Sequence, residues 1–334
     1  MLSAEATIVP QDEYMHTPTD HPQFNESAYY QFYDASQTYY LVRMGNRVNE
    51  GHAELTILAF FPDGSAGFRF DRVPISDNSG FDAGGLRFDV IEPLRKTRVR
   101  YSGPLHMLAS SFDLELPAKE FTKAPVRQLT MDLEYTTLHV YEGLNHEPGD
   151  ENADAMASTL ATGHFRGPNS VTGVIGFDGE LEEVRGFGFR DHSWGPRQWN
   201  SPNYWRWISG IADQDNWFEV LVMKVEGHLL PDFGVVCENG NVRFVDKFDI
   251  TSTYSAETPH YPETVRLTLH HPDGDVEVTG EALRVAPLRH RKGDEVARIA
   301  EVIFRCELAG FTTHGFAEYH DRMLDGVPEG MGEV

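Results

Sequence analysis

Apolar and polar positions alternate along most of this chain. Alternating or β-branched runs occupy Ala53–Phe61, Leu86–Ile91, Arg98–Tyr101, Gln128–Tyr135 and Val171–Phe177. They resume at Trp217–Val225, Val242–Ile250, Thr264–His270, Asp275–Thr279 and Ala300–Leu308. A period of two puts every second side chain on one face, the mark of a half-buried strand. Turn pairs separate the runs: Asp63-Gly64, Asp178-Gly179, Asn239-Gly240 and Asp273-Gly274. Asn or Asp followed by Gly tolerates positive φ, so these pairs favour tight antiparallel hairpins. Helical periodicity is scarce, and Ser36–Val42 and Ala153–Leu160 are the best short helix expectations. The pattern predicts an all-β chain closed into barrels or sandwiches.

The 334-residue length favours two domains. The stretch Glu142–Ser158 is acidic and rich in turn residues, and reads as a loop or linker. The expected division is an irregular arm over 1–26, a first β domain over 27–160 and a second over 161–334. A border near Gly186 fits as well. Phe60–Phe70 and His270–Val278 both read strand, Pro-Asp-Gly turn, strand, a faint echo of two related halves.

Charge and composition narrow the partners. The net charge of -24 repels phosphate backbones, so nucleic acid is not expected. No apolar run approaches the roughly 18 residues of a membrane span. The N-terminal MLSAEATIVPQDEYMHTPTDHP lacks the basic and apolar regions of a secretory signal, which points to the cytoplasm. The 2 cysteines, Cys237 and Cys306, form no CxxC pair, so neither a zinc site nor a disulfide framework is signalled. They read as reduced, buried thiols.

Chemistry-bearing residues concentrate in GFGFRDHSWGPRQWNSPNYWRW, Gly186–Trp207, which holds all but one of the 5 tryptophans. If Arg185–His192 is extended, Arg190 and His192 share a face with Gly186 and Gly188. Asp191 then shares the other with Phe187 and Phe189. On an aromatic face Asp191 is partly desolvated, which raises a carboxyl pKa and suits a general acid. Arg190 or His192 can equally hold it ionised, and the sequence leaves both states open. A structural Arg190-Asp191 ion pair at a strand end is the plain alternative. After the Trp194-Gly195-Pro196 turn, YWRWISGIA puts Trp205 and Trp207 on one face and Tyr204 and Arg206 on the other. Two indoles so spaced form an apolar wall that can hold a polycyclic ligand or stabilise a cation, or simply plug a barrel.

Other candidates carry less. His164 precedes the Val171 run, Glu318 lies in the last strand, and Arg197 closes the charged block. Each also has an ordinary surface or hydrogen-bonding explanation. HExxH, a recognisable facial triad, GxSxG, a P-loop and GxGxxG are absent, so no metal and no organic cofactor is expected.

The block GFGFRDHSWGPRQW followed by YWRWISGI resembles the AttH-like and carotenoid 1,2-hydratase-like proteins. It is most similar to their bacterial members of unknown function, with an Arg-Asp-His-Ser-Trp-Gly-Pro-Arg block. ATGHFRGPNSVTGVIGFDGE and the N-terminal NESAYYQFYD…LVRMGNRVNEGHAELTILAFFPDG extend the resemblance over nearly the whole chain. It implies tandem lipocalin-like (calycin) barrels and a greasy substrate in a shaped cavity, without an organic cofactor. It also implies Asp191 as a proton donor. The leading expectation is acid-assisted hydration, dehydration, isomerisation or cyclisation of an isoprenoid, steroid-like or polyketide molecule. Asp191, His192 and Arg190 would do the chemistry. Trp194, Trp205, Trp207, Tyr204, Arg197, Glu318 and His164 would surround the ligand. The competing expectations are a non-catalytic carrier of a hydrophobic ligand and, behind it, a tryptophan-rich interaction surface. Association as a homodimer stays open.

Overall fold

A computed structural model describes residues 8–34, 36–116, 118–142, 160–230, 232–245, 247–258 and 260–332. It divides into two compact units, one holding Ala4–His146 and Met156–Arg197 and the other Gln198–Val334. Both are β structures. Among the described residues helix is limited to 3-10 turns and the four-residue α1, Ala118–Phe121.

The first unit contains β1 (Phe24–Asp34), β2 (Tyr39–Arg47), β3 (His52–Phe60), β4 (Ala66–Pro74), β5 (Phe81–Ala83) and β6 (Leu86–Glu92). Next come β7 (Lys96–Leu108), β8 (Val126–Thr137), β9 (Tyr141–Glu142), β10 (Gly163–Phe177) and β11 (Glu180–Pro196). Neighbours run β4-β3-β2-β1-β11-β10-β8-β7, and β4 pairs again with β7 through Ala66↔Leu108 and Phe68↔His106. That second pairing closes the sheet into a barrel, and β6 and β5 continue it beyond β7. Period-two alternation turns Ala28, Tyr30 and Phe32 of β1 and Leu129, Met131 and Leu133 of β8 into the barrel core.

The second unit contains β12 (Pro202–Asp213), β13 (Asn216–Val225), β14 (His228–Leu229), β15 (Phe233–Glu238), β16 (Asn241–Phe244) and β17 (Lys247–Tyr254). It continues with β18 (Pro262–His270), β19 (Val276–Lys292), β20 (Glu295–Leu308), β21 (Phe311–Leu324) and β22 (Val327–Pro328). Its curled sheet runs β16-β15-β13-β12-β21-β20-β19-β18-β17. Ile208, Val220, Val278, Phe304 and Tyr319 are buried on one face of it. The fold is therefore all-β, with two lipocalin-like curled sheets in tandem.

Two local expectations change. Ser36–Val42 is not helical: a turn leads into β2, whose Tyr39–Val42 are buried on both faces. Burial on both faces erases the alternation that normally reveals a strand, and aromatic and β-branched residues favour that pleated surface. Val242–Ile250 divides between β16 and β17. The helix expectation at Ala153–Leu160 lies outside the described residues except for Leu160. The unit border also moves, from residue 161 or Gly186 to Gln198. β10 and β11 belong with the first unit because they fill the barrel wall between β8 and β1.

The four turn pairs each join two strands. Asp178-Gly179 and Asn239-Gly240 have positive φ at both residues, whereas at the other two only Gly64 and Gly274 do. Cys237 and Cys306 are free and buried, and burial pushes the Cys306 thiol up to about 12.

Candidate functional site

β11 presents two chemically distinct faces. Its register against β1 pairs Tyr30 with Arg190, Ala28 with His192 and Glu26 with Trp194, so these side chains point into the barrel with the core. Tyr29 pairs with Asp191 and Ser27 with Ser193 on the outer face. Asp191 is therefore separated by the sheet from Arg190 and His192. The expectation that those two neighbours set its charge is corrected by the pleat, which sends adjacent side chains to opposite sides.

On the inner face, carboxylates arrive from the N-terminal arm and β1. Glu13 lies in the 3-10 turn Pro10–Glu13, and its oxygens accept from Arg190 Nη1 at 2.7 Å and Nη2 at 2.9 Å. Thr97 Oγ1 accepts a further Arg190 bond at 3.2 Å, and the guanidinium lies over the Phe165 ring. Burial alone would depress the Arg190 pKa; the Glu13 charge outweighs it and pushes it up. Glu13 also accepts from the Leu94 amide at 2.8 Å, and Leu94 holds φ at 61°. The arm thus pins a left-handed turn between β6 and β7 that a leucine adopts only reluctantly.

One step along the barrel, Glu26 Oε1 lies 2.8 Å from both His16 Nδ1 and His192 Nε2. Its Oε2 accepts from the His16 amide at 2.9 Å and from Asn78 Nδ2 at 3.1 Å. A carboxylate only accepts, so both ring nitrogens donate here. Burial would raise the Glu26 pKa; the His16 and His192 hydrogen bonds and charges overcome it and hold it at about 2. Trp194 stacks on His16 with ring centroids 3.7 Å apart, and Phe165 and Phe81 flank His192. Gly163 makes room for that indole, since a Cβ there would collide with it.

On the outer face, Asp191 contacts His164 Nε2 of β10. Both side chains are partly accessible, at 18% and 12% exposure. Their neighbours Tyr29, Arg166 and Phe189 are buried. Arg197 Nε donates to the Leu160 carbonyl at 2.9 Å and Nη2 to the Ser193 hydroxyl Oγ at 2.9 Å. These bonds tie down the end of β11.

The second unit carries the indole wall. Trp205 and Trp207 share a face of β12, and both are buried. Trp205 Nε1 donates to Glu318 at 3.1 Å, and Trp207 Nε1 donates to Glu219 at 2.7 Å. Glu318 pairs across strands with Glu301, so the wall is lined with carboxylates. Trp205 also stacks on His320 at 3.9 Å. Tyr204 lies on the opposite face, where Arg206 passes over its ring and that of Tyr319.

The structure thus brings Asp191 together with His164, and Trp205 and Trp207 with Glu318. Tyr204 and Arg197 stand apart from both sets. Glu13, His16 and Glu26 escaped the sequence reading. Their partners lie 177 and 166 residues away, and nothing local distinguishes them from an acidic, solvated arm.

The fold defines a nearly all-β protein of two units, and solved structures share it. The solved structure of a protein assigned as AttH from Nitrosomonas europaea matches with TM-score 0.53 and 15% identity, covering 98% of this chain and 99% of that one. Kievitone hydratase from Nectria haematococca matches with TM-score 0.53 and 10% identity, covering 95% and 93%. CghA matches with TM-score 0.52 and 12% identity, covering 91% and 89%. Identities this low establish likeness of fold alone. No curated protein matches the chain in sequence. Residues 9–323 match the family described as a domain of unknown function, DUF7064, and the chain belongs to it. Among the described residues no helix is long and apolar enough to cross a membrane.

Proposed function

We propose that this chain is an enzyme that binds a bulky apolar small molecule and moves a proton on it, adding or removing water or closing a ring. The observation behind this reading is the Asp191–His164 pair on the outer face of β10 and β11, partly accessible and set among buried Tyr29 and Phe189. A carboxyl and an imidazole in contact hold one proton between them. Such a pair can deliver a proton to a double bond or a leaving hydroxyl, and recover one from water. Aromatic neighbours keep the site poor in water and tolerate positive charge on the substrate. Two neighbours in fold support the class of chemistry: one is named a hydratase of kievitone, and CghA has been solved with Sch210972. Isoprenoid, steroid-like and polyketide molecules are the substrate types proposed. Fold likeness by itself does not select a reaction, so the residues carry the assignment.

The test begins with native mass spectrometry of the purified protein, to identify an apolar compound retained through purification. That compound is then incubated with protein in ¹⁸O-labelled water. Hydration appears as label in the product, and cyclisation as a new isomer. Asp191→Asn and His164→Ala should keep the bound compound and lower turnover by about 10²–10⁴, the usual share of a general acid. Wild-type protein that retains its compound and never changes it is a carrier, and the enzymatic reading then fails.

A further inference from the structure

The inner face of β11 takes part in a second arrangement, independent of the proton-transfer pair. His16 Nδ1 from the arm, Glu26 Oε1 from β1 and His192 Nε2 from β11 all lie within 4.8 Å of one another. The arm, β1 and β11 bring these donor atoms together, and His192 lies 166 residues from Glu26. We propose that His16, Glu26 and His192 form a binding site for a divalent first-row transition ion of the zinc class. The ion would join the arm to the barrel and keep at least one coordination position open.

The donor set fits this ion. Two imidazoles and one carboxylate are a recurrent zinc triad, with the remaining position left for water or a ligand. Zinc sits about 2.0–2.2 Å from nitrogen and oxygen, which sets ligand atoms about 3.3–3.6 Å apart around a tetrahedral ion. The two nitrogens stand 2.8 Å from Glu26 Oε1, so each must retreat by about 0.5–0.8 Å. His16 is on the arm outside the strands and can supply that movement.

The surroundings fit as well. Metal-bound carboxylates and imidazoles are held by outer hydrogen bonds that fix which atom faces the ion. Glu26 Oε2 is held by the His16 amide and by Asn78, which leaves Oε1 turned towards the imidazoles. Asn78 is oriented in turn by Asn46 at 3.2 Å, and Asn46 is fixed by the Gly80 carbonyl at 3.0 Å. Asp12 Oδ1 lies 3.8 Å from the far nitrogen of His16, too long for a hydrogen bond but close enough to favour a positive charge there. Trp194 covers one side of His16 and limits the approach of water.

The full-length protein is stripped with a chelator and titrated with Zn(II) by calorimetry and with Co(II) by visible absorption. One ion per chain is expected, with Co(II) d–d bands of a low-coordinate nitrogen–oxygen site. His192→Ala and His16→Ala should weaken binding at least about 10–100-fold, the loss that even outer-sphere changes produce. Because His192 is buried and its loss can unfold the barrel, the arm variant His16→Ala is the decisive one. His164→Ala, altered on the outer face, should bind as the wild type does. Failure of the stripped wild type to take up zinc overturns the proposal. So does uptake unchanged in His16→Ala, which marks surface histidines, or uptake lost only in His164→Ala. None of these results bears on turnover by Asp191.

Discussion

Each unit buries an arginine beneath an aromatic ring and neutralises it with a carboxylate, but the carboxylates come from different places. In the first unit Arg190 lies over Phe165 and is held by Glu13, a residue of the arm. In the second, Arg206 lies over Tyr319 and is held by Asp321, on the adjacent strand β21. Asp321 also accepts from Arg298 at 3.3 Å and from the Gly330 amide at 2.9 Å. The second centre is therefore sealed by the sheet itself. The first is sealed only when residues 8–23 dock. A barrel whose internal charge is completed by an arm has a part that can leave, and the inner face of β11 holds the groups that such departure would uncover.

The largest expected effect follows from removing Asp321. Asp321→Asn leaves two buried guanidinium groups facing one neutral amide. Breaking a buried pair costs about 3–5 kcal/mol, and the shared carboxylate puts this variant at the upper end. Trp199, Trp205, Trp207 and Trp217 all lie in the second unit, so urea unfolding followed by tryptophan fluorescence reports on it directly. A variant as stable as the wild type would show that the two arginines are not held as the geometry indicates.

Glu13→Gln should cost somewhat less, about 3 kcal/mol, because the arm can lift away and let water reach Arg190. The loss should also be local. Amide exchange over residues 8–23 should accelerate, above all at His16, whose N–H is bonded to Glu26. Exchange in β12 and β21 should not change. If the arm stays protected, Glu13 is not what fastens it and the contrast between the units fails.

The same contrast explains what could be read from the residues in order. β8 is half-buried, so its alternation shows, whereas β3 and β13 are buried on both faces and are legible from their β-branched runs. The two faces of β11 also follow from parity alone, including the separation of Asp191 from Arg190. β2 does not show, because its first four residues are buried on both sides and only Val42 among them is β-branched. The inner cluster did not show because charge complementarity across 166 or 177 positions leaves no local pattern. Glu13 and Glu26 look like any other acidic residues in a chain of net charge -24. His164 carries little weight in the sequence, because its partner Asp191 is one strand away and the pairing of β10 with β11 is a fact of register.

The smallest effect comes from a carboxylate of the first unit that resembles Asp321 in having two arginines, yet sits near solvent. Glu54 accepts from Arg47 Nε at 3.2 Å and from Arg72 Nη2 at 3.0 Å, and the Arg72 side chain is 55% exposed. Burial alone would raise the Glu54 pKa; the charges of Arg47, Arg43 and Arg72 overcome it and hold it at about 2. A depressed folded-state pKa means that the charged form stabilises the fold. The contribution is complete above the ordinary value of 4.5, shrinks as pH falls through the interval and is gone below about 2. The fall in pKa sets an upper bound of about 3 kcal/mol at neutral pH, and solvent around Arg72 reduces this to about 1–2 kcal/mol. Glu54→Gln should therefore be less stable than the wild type at pH 7, with the gap closing as the pH is lowered towards 2. Paired urea titrations across that range cancel every other titration the two proteins share. A gap that stays constant with pH would mean that Glu54 acts through hydrogen bonds a glutamine can keep. The likeness to Asp321 would then be one of shape and not of charge.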